Sequence, residues 1–290
     1  MEGMVLASGM ADTCVSLLNA IGSGVGDDTV NQLLLSPIQY NRGLYEASTN
    51  IANWAVKPVA MMVFAVVMLL EFVRITSTTE GDSETGAKLV GVTMFKGSLV
   101  VLAIGSADMF VKLIDYLVGL MTGKFSDVAK LEAVQQAAGL GDQMRKPIED
   151  GGWGTQVACI VLLIIPFVVS KLAEVIVSVV IMLVFVQFYM LTCFNALPLV
   201  FLCHQETKAI GVSYFKSYAA VGVRGACLWL GIYLYRVMVK GVMGAGSYQE
   251  GDSVSGWIVG NFGQLLMASL LLLGMVLIAQ QTARAITGGE

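Results

Sequence analysis

A single histidine, His204, five prolines and charged residues at only 13% of 290 positions leave this chain short of what most catalytic sites are built from. One imidazole excludes a His-based metal centre with ordinary ligand spacing and any mechanism that needs a second imidazole. Cys203 beside it does not make a nucleophile pair, because adjacent helical residues point about 100° apart. Gly119 to Lys124 reads G-L-M-T-G-K, one residue short of the phosphate-cradling G-x-x-x-x-G-K-[ST] loop, which argues against an ATPase. The five cysteines, Cys14, Cys159, Cys193, Cys203 and Cys227, include no C-x-x-C pair and are odd in number, so they read as buried free thiols and not a disulfide frame. A net charge of -4 supplies no basic surplus with which to grip nucleic acid. The expectation is a protein that is not an enzyme and holds no cofactor or metal.

What the chain has is apolar length. Hydrophobic residues make up 56% of it, against a charged fraction about half the roughly 25% of an ordinary soluble domain. A bilayer core of about 30 Å needs roughly 20 apolar helical residues. Residues 1–52 are mixed, with an amphipathic stretch from Ala11 to Ile21 and a glycine-rich break at Gly22 to Gly26, and read as an extramembrane or interfacial helical arm. The N-terminus lacks the basic n-region and compact apolar core of a cleaved signal peptide, so the first span is expected to direct insertion.

Residues 53–290 read as a polytopic transmembrane domain. Trp54 to Ile75 is the first span, with Pro58 tolerated in its first turn. The apolar segment 89–121 is too long for one straight span and is expected to bend at Gly105. Residues 156–203 also exceed one simple span, and Pro166 with the Ser170 to Glu174 interruption suggests either a two-span hairpin or one span preceded by a helix outside the core. Helices over 211–242 and 257–279 follow, flanking a glycine-rich loop at 244–256. The expected fold is an all-α transmembrane bundle of five or six spans. Lysine and arginine in the loops do not agree on an orientation.

Ionisable residues inside spans are costly and mark pairs or polar linings. Asp108, Lys112 and Asp115 stand at i, i+4 and i+7 and could neutralise one another, with Lys96 three turns earlier on roughly that stripe. They form either an interfacial amphipathic stretch or the polar lining of a conduit or subunit seam. Lys171 and Glu174 are spaced for a local pair, and Arg224 lies alone in an apolar segment. Ser213, Ser217 and Gly225 recur at multiples of four, with Gly222 and Ala226 beside them, a pattern that serves helix packing within one chain or between subunits.

Several blocks resemble one family. They are Gly43-Leu44-Tyr45 through Val56-Lys57-Pro58-Val59-Ala60 to Leu70-Glu71; Met94-Phe95-Lys96; and Phe188-Tyr189-Met190-Leu191-Thr192 with Ala196-Leu197-Pro198-Leu199, Glu206, Gly211, Tyr214-Phe215-Lys216-Ser217 and Ala219. With the tail Thr282 to Ile286, the chain over residues 43–290 resembles the TrbL-type inner-membrane proteins of type IV secretion systems, in particular forms on conjugative elements of Gram-positive bacteria. The family-like positions are Pro58, Glu71, Pro198, Glu206, Gly211 and Lys216. Similar proteins often carry Arg just before the Phe-Tyr position, where this chain has Gln187, so a role resting on that Arg does not transfer.

The resemblance implies a channel or scaffold subunit of a conjugative DNA-transfer machine in the cytoplasmic (inner) membrane, with its arm facing outward. It further implies a ring-like homo-oligomer working beside other membrane subunits and separate ATPases, and touching the transferred DNA-protein complex only indirectly. A secondary transporter or ion channel is the alternative, which would call for an inverted repeat and a broken helix. An intramembrane enzyme is disfavoured by the lone histidine.

Overall fold

The computed structural model describes residues 2–79, 83–131, 140–242 and 253–287. Among them the chain is all-α, as expected, with no strand. The glycine-rich loop expected at 244–256 lies mostly outside the described residues.

Four short or amphipathic helices open the chain: α1 (Glu2–Ser23), α2 (Asp27–Gln32), α3 (Pro37–Tyr40) and α4 (Arg42–Ile51). A π-helical turn, Ala52–Val56, joins α4 directly to α5 (Lys57–Thr78), so the boundary expected near residue 52 falls inside one continuous helical stretch. Then come α6 (Ser83–Gly105), α7 (Ala107–Leu131), α8 (Leu140–Gln143), α9 (Arg145–Asp150), α10 (Gly152–Cys193), α11 (Leu197–Phe201), α12 (Lys208–Val242) and α13 (Val254–Thr287).

Five helical stretches among the described residues are long and apolar enough to cross a membrane: Arg42–Thr78, Glu84–Gly105, Gly152–Cys193, Lys208–Met238 and Val254–Thr287. The bend expected at Gly105 is present, and α7 beyond it is not one of the five. Of the two alternatives for residues 156–203, the two-span hairpin is absent. Gly152–Cys193 is one helix of 42 residues, about 63 Å long and roughly twice the hydrocarbon core. Pro166 sits inside it, a placement that membrane helices tolerate because neighbouring groups satisfy the freed carbonyl. The interruption that suggested a break is neutralised where it stands, since Lys171 Nζ lies 2.8 Å from Glu174 Oε2. Along these stretches large apolar side chains such as Leu69, Phe95, Leu102 and Leu277 stay more than 60% exposed, the surface that lipid covers.

The residues group into two compact units, each drawing on segments far apart in the chain. The first contains residues 1–34, 122–182 and 225–283. Its α1 buries Ala11, Cys14, Val15, Leu18 and Ile21, one helical stripe, and packs against α8 and α9. Gly141 makes that approach feasible, because a Cβ there would lie 2.2 Å from the Val15 carbonyl oxygen. Asn19 accepts from the Gly141 amide at 2.9 Å, and Arg145 reaches Asp12 at 2.6 Å. The turn ending α1 needs Gly24, whose φ is +63° and whose missing side chain leaves room for the Tyr235 ring.

The second unit contains residues 35–121, 183–224 and 284–290. Here α5 and α6 pack side by side, with α11 laid against both. Ala60 and Val67 of α5, Ile104 and Ala107 around the α6–α7 bend, and Ala196, Leu199 and Val200 form one buried apolar cluster. Tyr40 stacks on Phe185 at 3.8 Å between ring centroids, and the Tyr189 hydroxyl donates to the Pro37 carbonyl at 2.8 Å, which fixes the arm's end against α10.

Candidate functional site

The polar groups of the second unit collect around the break between α10 and α12. Helix α10 stops at Cys193, residues 194–196 turn, Pro198 starts α11 in the first helical turn where its missing N–H costs nothing, and a second turn leads to α12. Such a break frees backbone groups and admits polar side chains that a continuous apolar helix would exclude. Gly211 permits the return of the chain, because a Cβ there would lie 2.6 Å from the Pro198 carbonyl oxygen.

At one end of the break stand the two aspartates of α7. Asn195 Nδ2 donates to Asp108 Oδ1 at 2.6 Å. The Tyr218 hydroxyl donates to Asp115 Oδ1 at 2.9 Å and lies 3.5 Å from Thr192 Oγ1. The Tyr214 hydroxyl donates to the Leu191 carbonyl at 2.6 Å, satisfying one of the last carbonyls of α10. Burial pushes the Asp115 carboxyl up to about 6 against the opposing effect of the Tyr218 hydrogen bond.

At the other end His204, buried, meets Glu71 of α5 through Nδ1, which carries the proton if the carboxylate accepts. Arg74 joins them, with Nη1 3.7 Å from Glu71 Oε1 and Nη2 donating to Gln205 Oε1 at 2.9 Å. Glu206 is exposed, 3.6 Å from His204 Nε2.

The structure sorts the polar stripe and the small residues singled out in the sequence. The stripe of Asp108, Lys112 and Asp115 is not self-neutralising: Lys112 is exposed, whereas each aspartate takes a neutral hydrogen-bond donor from another helix. Residues at i and i+7 share the buried face, and i+4 falls on its edge, so position along α7 separated charges that spacing had paired. Lys96 lies before the bend at Gly105, is exposed, and takes no part in an ion pair among the described residues. The small residues of α12 also divide. Ser213 and Ser217 are exposed while Gly222, Gly225 and Ala226 are buried, because Ser213 and Gly222 stand about 180° apart around a helix of 3.6 residues per turn. Gly222 faces α7 of the same chain, where a Cβ would come within 2.4 Å of Val118 Cγ2.

Of the family-like positions, Glu71, Pro198, Glu206 and Gly211 converge on the break, whereas Pro58 and Lys216 are exposed elsewhere. Arg224 donates from Nη1 to Gln187 Oε1 at 2.7 Å, so this cation of α12 is satisfied by a neutral amide of α10. Residue-by-residue reading passed over Asn195 and Tyr218, and it named His204 without its partner Glu71. In each case the aspartate or glutamate it meets lies at least 87 positions away along the chain, beyond the reach of local spacing.

These polar groups cross-brace helices; no group of three or more potential metal ligands exists among the described residues. Fold and site together define a multi-pass helical membrane protein whose polar residues around the α10–α12 break hold a broken-helix arrangement. The chain belongs to the TrbL/VirB6 plasmid conjugal transfer like family, whose pattern matches residues 25–196, more than half of its length. It is therefore a membrane component of conjugal transfer. No curated protein and no solved structure matches it significantly.

Proposed function

We infer that the protein is a channel or scaffold subunit in the cytoplasmic (inner) membrane part of a type IV secretion machine that transfers DNA between cells. The observation that carries this reading is the family match over residues 25–196, which includes three of the five apolar stretches. The subunit acts without catalysis of its own. Energy comes from separate ATPases, consistent with the defective phosphate loop at Gly119 to Lys124. Copies assemble as a ring beside other membrane subunits, and with a net charge of -4 the subunit meets the DNA-protein complex only indirectly.

Deleting the gene and measuring mating frequency alongside relaxase nicking tests this. The expected result is loss of transfer with nicking intact. Normal mating would overturn the secretion reading and leave the transporter or ion-channel alternative.

A further inference from the structure

Arg224 is the one charged residue between Lys216 and Arg236, a helical run of 19 residues whose length of about 28 Å matches a hydrocarbon core. It stands eight residues past Lys216, about 12 Å inside that run, too deep for its side chain to reach the lipid phosphates. Within the second unit its Nη1 donates to Gln187 Oε1 of α10. That amide satisfies one N–H and neutralises no charge. Nε is buried without a partner, and no ion pair reaches Arg224 among the described residues. Arg74 and Lys171, by contrast, each face a glutamate of their own helix. A cation held in apolar surroundings is costly unless an opposite charge meets it. Gln187 is exposed, as are Leu183 and Met190 at i−4 and i+3 along α10, so the pair opens onto the outer surface of the unit.

We propose that Arg224 and Gln187 form a docking site for a carboxylate carried in a membrane-spanning helix of a different protein. On the secretion reading, which supplies the partner, that protein is another membrane subunit of the transfer machine. Charge complementarity selects the chemistry. The guanidinium edge made by Nε and Nη2 bonds no described residue and matches the two oxygens of one carboxylate, and the Gln187 amide brings a further N–H donor beside it. Leu183 and Met190 give the incoming helix an apolar surface to pack on. A second copy of this chain has no carboxylate to spare. Glu46, Glu71, Glu84 and Glu174, the acidic residues of the five apolar stretches, are each paired with a cation of their own chain. Asp108 and Asp115 of α7 are taken by Asn195 and Tyr218.

The full chain, with photoreactive p-benzoylphenylalanine replacing the exposed Met190, is expressed in cells that carry the complete transfer machinery. After irradiation the linked peptides are sequenced by mass spectrometry. The expected product joins α10 to an apolar, membrane-spanning segment of another protein that contains Asp or Glu. Arg224→Leu should lower its yield at least about tenfold, with the chain itself still inserted because leucine suits the bilayer. Changing the partner's carboxylate to the amide should do the same while leaving this chain untouched. A link to lipid, to a second copy or to a segment without a carboxylate would overturn the proposal, as would no protein link at all or a link unchanged in either variant. Mating frequency in the same cells separates the two readings. Transfer that needs the gene without such a link refutes the docking site alone, and transfer that does not need the gene refutes the secretion reading alone.

Discussion

Asp115 Oδ1 of α7 accepts a 2.9 Å hydrogen bond from the hydroxyl of Tyr218, a side chain with 0% exposure on α12. The pair is the hinge on which the polar end of the helix break turns, because Tyr218 also reaches Thr192 near the end of α10. A phenol shared by two helices and a half-buried carboxyl holds three elements with one donor and one acceptor.

The raised Asp115 pKa has a pH consequence. Unfolded, the carboxyl titrates near the ordinary aspartate value of 3.8, and folded, burial pushes it up to about 6. The folded state therefore binds more protons between these values, so stability falls as pH rises through that window and is lowest with the carboxylate ionised. Acidifying detergent-solubilised protein from neutral to about pH 5 should raise its melting temperature. Asp115→Asn should lose that increment while melting cooperatively. An equal pH response in both proteins would show that Asp115 does not titrate in this range.

The Glu71 and His204 pair predicts an asymmetry between two glutamates that flank one imidazole. Replacing His204 by alanine leaves the largely buried Glu71 carboxylate without that partner and should cost about 1–3 kcal/mol of unfolding free energy. Glu206→Gln alters an exposed group 3.6 Å from the same ring and should stay within about 0.5 kcal/mol. Thermal melts of both variants decide it, and equal losses would contradict the geometry.

The two faces of α12 predict two different failures. Gly222→Leu drives a side chain into Val118 and should destabilise the monomer by about 1–3 kcal/mol or more, seen as reduced membrane yield. Ser217→Leu lies on the exposed face and should leave yield near wild type. If neighbouring copies pack through that face, native mass spectrometry will show Ser217→Leu shifted toward monomer. An unchanged oligomer would remove this face from the subunit seam.

Apolar periodicity and length were enough to announce an all-α membrane protein with a helical arm, the bend at Gly105 and the local Lys171 and Glu174 pair. Each depends on neighbours within a few residues, for which helix geometry is a sufficient guide. Whether residues 156–203 bend back or run on as one 42-residue helix was not legible, because proline destabilises a helix by an amount that packing can offset, and packing is not local. The faces of α7 and α12 were set the same way. Spacing placed Asp108, Lys112 and Asp115 within reach of one another, but only the positions of Asn195 and Tyr218 turned the aspartates inward and left Lys112 out. The sequence by itself determined which segments are helices and which of them suit a bilayer, since both follow from backbone hydrogen bonding and the transfer of apolar surface out of water. Tertiary structure alone decided that Asp108 meets Asn195 and Glu71 meets His204, because those encounters depend on which helices become neighbours, a choice made by the whole packed core and encoded at no single position.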